Sequence, residues 1–150
     1  MTPAQLRDTQ VFFGRRAARW EECFSDDDPA FARAVAELRP ARGGLVLDAG
    51  CGTGRAIPFL RTAVGPRGCV LALDVTPEML AEVRRRGRDA ALVLADGGCM
   101  PFRAGVFDAI LAAGFVPHLE PAEAGLAELA RITKRGGRLA IFHPIGRATL

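Results

Sequence analysis

The stretch Leu47-Asp48-Ala49-Gly50-Cys51-Gly52-Thr53-Gly54-Arg55 decides the fold. It joins a short apolar run, Leu45 to Leu47, to a helical pattern carried by Ile57, Leu60 and Val64. An apolar run that ends on an acid and passes through three alternating glycines into a helix reads as strand, loop and helix. Without Cβ atoms, glycines let the backbone turn sharply and approach a ligand closely. The following helix presents free N–H groups at its start. A dinucleotide site calls for G-x-G-x-x-G, whereas the spacing here is G-x-G-x-G. Asp48 would also repel a pyrophosphate, while a carboxylate there suits an ammonium group or an ordered network beneath the loop. An NAD-dependent oxidoreductase is therefore disfavoured.

Outward from this loop the chain alternates strand and helix. Cys69 to Leu73 reads as a second strand ending at Asp74, and Thr76-Pro77-Glu78 opens a helix that closes at Arg84-Arg85-Arg86-Gly87. Ala91 to Ala95 is a third strand ending at Asp96, and Phe107 to Ala113 a fourth. Glu120-Pro121 starts a helix that directs Leu126, Leu129 and Ile132 to the core and ends at Lys134-Arg135-Gly136-Gly137. Arg138 to His143 is the fifth strand. Strands apolar on both faces and separated by helices belong to a parallel sheet covered on both sides. The expectation is an α/β fold: a three-layer, doubly wound, Rossmann-like sheet of about five strands with helices on both faces.

Two regions are expected, an N-terminal arm and helix over residues 1–40 that packs on the core, and the core over 41–150. The first 28 residues show weak periodicity but are rich in aromatic and basic side chains. Asp26-Asp27-Asp28-Pro29 then starts a helix with Asp28 as its cap and Phe31, Val35 and Leu38 on one face, ending near Pro40. Arg15, Arg16 and Trp20 form either a lid over the ligand or an arm packed on the sheet flank.

Composition narrows the function further. Apolar residues make up 49% of the 150, enough for a core, and the net charge is +3. Basic residues are dispersed apart from Arg84-Arg85-Arg86 with Arg88, which reads as the solvated end of a helix. A nucleic-acid partner is therefore not expected. No apolar run reaches the ~20 residues that span a bilayer. No cysteine or histidine spacing suits zinc, so no metal is expected. Free thiols and the absence of a signal-peptide layout point to the cytoplasm.

Three acids at strand ends carry the chemistry. Asp74 lies twenty residues past Gly54, where a carboxylate can accept two ribose hydroxyls. Asp96 and Gly97 read either as a site for an adenine amino group or as a plain Asp-Gly turn. Together these segments resemble the class I S-adenosylmethionine-dependent methyltransferases. LDAGCGTG is similar to the first motif of that family, LDVTPEML to the segment after it, LADGGCMPF to the third-strand segment, and FDAILAAGFVPHL and RITKRGGRLAIF to the last two. The resemblance implies S-adenosyl-L-methionine as methyl donor and a small-molecule acceptor. It implies that Gly50, Cys51, Gly52 and Gly54 form the loop around the methionine moiety, with Asp48 beneath. It places Asp74 on the ribose, with Val75 flanking the adenine, Asp96 and Gly97 on the adenine, and Ala112, Ala113 and Gly114 as the floor. His118 and His143 are candidate general bases, or else structural histidines bonded to nearby carbonyls.

Members of this family continue past the fifth strand with a helix and two more strands, whereas this sequence stops at Leu150. It is either a fragment or a minimal version. The alternative to an active enzyme is a non-catalytic S-adenosylmethionine-binding or scaffolding domain. In each case Leu139 to Phe142 becomes an apolar edge strand, so self-association or poor solubility is expected.

Overall fold

A computed structural model describes residues 1–24 and 27–144. Asp26 and the end of the expected core, residues 145–150, lie outside the described residues. Five strands, β1 (Leu45–Ala49), β2 (Cys69–Asp74), β3 (Ala91–Leu94), β4 (Phe107–Ala113) and β5 (Thr133–Phe142), form one sheet in the order β3-β2-β1-β4-β5. Every neighbouring pair is parallel. The chain winds outward from β1 through β2 to β3 and then returns to the other side of β1 as β4. The winding direction therefore reverses between β1 and β4, which opens a crevice at the carboxyl ends of the strands.

Alternation along each strand divides the core into two layers. Val46, Val70, Ala109 and Leu111 face one side, where they meet α3 (Asp28–Leu38), α4 (Ile57–Val64) and α5 (Pro77–Arg85) through Phe31, Val35, Leu60, Val64 and Val83. Leu47, Leu73, Ile110 and Ala112 face the other, where α6 (Ala122–Ile132) brings Leu129 and Ile132. The loop after β3 completes that layer with Met100, and it is pinned to α6. Glu128 accepts from the Met100 N–H at 2.8 Å, and Arg131 donates to the carbonyls of Phe102 and Met100.

Four details differ from the sequence expectations. The arm is helical: α1 (Pro3–Gly14) is closed by a capping box between Thr2 and Gln5, and α2 (Trp20–Cys23) follows after a short 3-10 turn. Because α1 buries none of its residues, it carries no apolar stripe for periodicity to reveal. Asp28 is the first residue of α3 and not its cap; Asp27 holds the cap position, and the Asp28 carboxylate instead binds Arg55 at 2.6 Å. Leu126 points outward, 39% exposed, while Leu129 and Ile132 fill the core. Finally, β5 begins at Thr133 and not at Arg138. Thr133 pairs with Phe107 and Arg138 with Ala109, so Lys134–Gly137 bulge opposite Asp108. Lys134 bonds the Asp108 carboxylate at 2.8 Å, and the same carboxylate accepts from the Leu45 N–H, which ties the bulge to β1.

The layers make unequal demands on single residues. Ile110→Ala, at a fully buried site on β4, is expected to lower unfolding free energy by about 2–5 kcal/mol. Leu126→Ala is expected to change it by less than about 1 kcal/mol. Urea denaturation of both variants checks this pair.

Candidate functional site

After β1 the glycine loop crosses to the tip of β2. The N–H groups of Gly50 and Cys51 both donate to the Leu73 carbonyl, at 2.8 and 2.9 Å. The Gly52 N–H donates to Asp74 Oδ2 at 2.9 Å, and Asp74 Oδ1 accepts from the Thr76 N–H at 2.8 Å. One carboxylate thus holds the loop and the entrance to α5 together. Gly50 and Gly52 adopt left-handed φ angles of 69° and 53°, which glycine reaches without strain. A Cβ at Gly50 would lie 2.5 Å from the Phe115 ring, whereas a Cβ at Gly52 would meet nothing within 4 Å. The space over Gly52 belongs to a cavity of about 350 Å³ at the strand tips, within the size range of small-molecule sites.

Two strand-end carboxylates, Asp48 and Asp74, lie against this cavity beside Asp27 from the start of α3. Asp48 is 1% exposed, and its Oδ2 has no hydrogen-bond partner among the described residues. Burial pushes its carboxyl up to about 7, the charge of Asp74 adds to the rise, and Arg88 opposes it. Burial also raises Asp74, against the N–H bonds from Thr76 and Gly52 that favour its ionised form. An orphaned buried oxygen beside an open glycine is an incomplete arrangement. A ligand that brings an ammonium to Asp48 and hydroxyls to Asp74 would complete it, so these residues fit an amino-acid nucleoside such as S-adenosylmethionine.

The cavity wall contains Asp48, Gly50, Cys51, Gly52, Asp74, Val75, Gly97, Ala113 and Gly114 from the expected set, together with both histidines. Three expected residues stand outside it. Gly54 serves packing, since a Cβ there would lie 2.6 Å from Ile57 Cδ1. Ala112 is fully buried in the layer beneath α6. Asp96 forms the Asp-Gly turn, with Oδ1 accepting from the Gly98 N–H at 2.8 Å and Oδ2 bonded to the Met1 ammonium at 2.9 Å. His118 packs edge-on against Phe13, with ring centroids 5.0 Å apart. Burial lowers its pKa, the neighbouring His143 lowers it further, and Asp74 opposes both. The His143 Nδ1 is buried without a hydrogen-bond partner among the described residues.

Much of the wall was not legible as site residues. Phe12, Phe13 and Phe24 from the arm, Phe31 from α3 and Phe115 after β4 all line the cavity. Of Arg15, Arg16 and Trp20, Trp20 alone lines it. The Arg16 guanidinium lies 3.8 Å from the centre of the exposed Phe12 ring. The aromatic richness of residues 12–24 was the available signal, and the wall selects those aromatics over the arginines. The Arg84–Arg88 cluster also divides. Arg85 is 62% exposed as a solvated helix end should be, but Arg86 and Arg88 turn inward to Glu21 of the arm.

The parallel order β3-β2-β1-β4-β5, with an acid beneath a glycine loop and another at the tip of β2, defines the Rossmann-like methyltransferase fold. The chain belongs to the S-adenosylmethionine-dependent methyltransferases, because residues 47–141 match the family described as the methyltransferase domain. It is 36% identical over 125 residues to aklanonic acid methyltransferase DauC of Streptomyces sp. strain C5, covering 80% of this chain and 57% of that protein. It is 36% identical over 115 residues to demethylmenaquinone methyltransferase of Beutenbergia cavernae, covering 76% of this chain and 47% of that protein. Among solved structures, a SAM-dependent methyltransferase from Aquifex aeolicus superposes with a TM-score of 0.65 at 30% identity, over 73% of this chain and 61% of that one. The chain spans about half the length of the curated relatives it matches. S-adenosylmethionine is the methyl donor of this family.

Two consequences are measurable. The folded Asp48 carboxyl, near 7, sits above the unfolded value of about 3.9, so between those values the native state binds more protons. Its contribution to the ligand-free chain is therefore present at low pH and lost as pH rises through about 7. Asp48→Asn is expected to flatten this part of the stability–pH profile, followed by thermal melting between pH 5 and 8. Gly52→Ala has room for its methyl group and is expected to fold with a loss of about 1 kcal/mol from its left-handed φ. The same methyl group protrudes into the cavity, so S-adenosylhomocysteine affinity should fall at least tenfold by calorimetry, about 1.4 kcal/mol.

Proposed function

We propose that this protein is an S-adenosylmethionine-dependent methyltransferase acting on a small, apolar, ring-containing acceptor by in-line methyl transfer. The observation that carries this reading is the division of the cavity wall. Strand tips supply Asp48, Gly52 and Asp74, while the arm supplies Phe12, Phe13, Trp20 and Phe24. Relatives named for aklanonic acid and demethylmenaquinone support a small-molecule acceptor. Four free cysteines suit a reducing cytoplasm, and no helix among the described residues is long and apolar enough to cross a membrane.

When bound, S-adenosylmethionine supplies a methyl group on a sulfonium, a leaving group that needs no further activation. The residues of the chain have the tasks of alignment and desolvation. Asp74 keeps lone pairs free beyond its two N–H bonds and would accept from the ribose hydroxyls. Asp48 would meet the ammonium, whose positive charge favours the ionised carboxylate. Val75 and Gly97 would flank the adenine. The aromatic walls orient a flat acceptor and exclude water. His118, whose pKa burial lowers, would accept a proton from an acceptor that must lose one. His143 is the second candidate for that role. The outer strand β5 exposes Leu139 and Ile141, an edge along which two copies would associate.

Calorimetric titration is expected to give heat with S-adenosylhomocysteine and none with NADH, and Asp74→Ala should abolish it. Labelled methyl transfer to a panel of hydroquinones and phenols tests the acceptor class. His118→Ala is expected to lower kcat by about 10²-fold or more with KM little changed. Binding without transfer to any acceptor would leave a cofactor-binding domain and overturn the enzymatic reading.

A further inference from the structure

The arm is attached to the domain in an unusual way. Among residues 1–24, Ala17 alone is buried. The four-residue α2 is far too short to be stable on its own. Apart from Ala17 and the Met1 side chain, apolar burial does little to hold the arm, yet the arm supplies the aromatic wall of the cavity. Its attachment is mostly polar: Met1 bonds Asp96, Gln5 bonds Glu120 and Gln10 bonds the Val75 carbonyl, while its second half meets the glycine loop and the end of α5.

Glu21 is the centre of that attachment. Its Oε1 accepts from the Thr53 hydroxyl at 2.7 Å and from Arg88 at 2.6 Å. Its Oε2 accepts from Arg86 at 3.0 Å and from Arg88 at 3.2 Å. Arg88 also donates to the Thr53 carbonyl, so the loop residue is gripped at both its side chain and its backbone. Burial opposes ionisation of Glu21, but the bonds from Arg88 and Thr53 outweigh it and hold the carboxyl below its usual range. On the other side of Gly54, Arg55 is buried, donates to the Phe24 carbonyl and pairs with Asp28.

Both tethers start within one residue of Gly54, in the loop whose Gly52 N–H is held by Asp74. Glu21 adjoins Trp20, which packs against Phe13 and Phe24 at centroid distances of 5.5 and 4.9 Å. Phe13 in turn packs on His118. A continuous set of contacts thus runs from the loop that would hold the methionine moiety to the aromatic wall that would hold the acceptor.

We propose that Glu21 is a positioning residue that locks the aromatic arm to the glycine loop, so that nucleoside binding and closure of the acceptor wall are one coupled event. It rests on the assignment of the cavity to S-adenosylmethionine. A loop immobilised by the nucleoside presents Thr53 and Arg55 in fixed positions, and the arm then closes on them. An open arm loses Trp20 and Phe13 from the wall and leaves the acceptor without its walls.

Trp20 is the only tryptophan in the chain, so its fluorescence reports the arm alone. Acrylamide quenching of the 150-residue protein is measured with and without saturating S-adenosylhomocysteine. In the unsubstituted protein the ligand is expected to lower the quenching constant at least twofold. In Glu21→Gln that protection should disappear and ligand affinity should fall about tenfold, a size usual for coupled sites, mainly through faster dissociation. Glu22→Gln, on an exposed neighbour paired with Arg19, should match the unsubstituted protein. A merely structural ion pair would lower the melting temperature of Glu21→Gln but preserve ligand protection of Trp20, and that result would overturn the proposal. Failure of Glu21→Gln to fold leaves the first comparison decisive, since ligand that binds without changing Trp20 quenching in the unsubstituted protein refutes the coupling. Absence of any binding heat would instead remove the assignment of the cavity.

Discussion

Three successive backbone N–H groups, those of Gly50, Cys51 and Gly52, point at the tip of β2, and the site depends on that contact. Two reach the Leu73 carbonyl and one reaches the Asp74 carboxylate. They require β1 and β2 to be neighbours in one register, with Ala49 opposite Leu73. In a parallel sheet a slip of one residue would exchange the faces of every side chain, sending Val46 and Leu47 to the wrong layers. The two-layer core therefore fixes the register, and the register places the loop. Asp48 and Asp74 come together as a consequence, each raised by burial. Unpaired buried carboxyl oxygen is costly to leave unsatisfied, and at Asp48 it is retained at the point where a cation would be received.

The arm follows different physics. The sheet and its helices are held by apolar burial, whereas the arm is held by a few polar contacts with the loop and strand tips, such as the bond from Gln10 to the Val75 carbonyl at 2.9 Å. Segments with few buried apolar contacts open at lower free energy than a core. A wall of this kind admits a ligand without disturbing the sheet. The core ends at the strand tips, and above them the arm adds Phe12, Phe13, Trp20 and Phe24 to the cavity wall.

The sheet was legible in the sequence because its signals are local. Apolar runs ending at Asp48, Asp74 and Asp96, and proline-led helix starts at Pro77 and Pro121, depend on neighbours in the chain. Where a position depended on distant contacts the reading slipped. Asp28 binds Arg55 instead of capping, Leu126 faces outward, and the bulge at Lys134–Gly137 lies opposite Asp108 on another strand. Among the expected site residues, the structure brings Gly50 and Gly52 to the cavity wall, where each has a backbone requirement for glycine, while Ala112 and Gly54 lie in packed surroundings outside it.

From its order of residues alone, the chain determined a doubly wound parallel sheet with a glycine loop after β1 and acids at three strand ends, since hydrophobic period and turn chemistry act over a few residues. Only the tertiary structure decided that Arg86 and Arg88 leave the solvated end of α5 for Glu21, that Asp96 meets the Met1 ammonium, and that the aromatics of the arm rather than its Arg15 and Arg16 line the cavity. Those outcomes join residues about 30 to 100 positions apart, and which partner a charged or aromatic side chain finds across such a distance is set by the packing of the sheet beneath it.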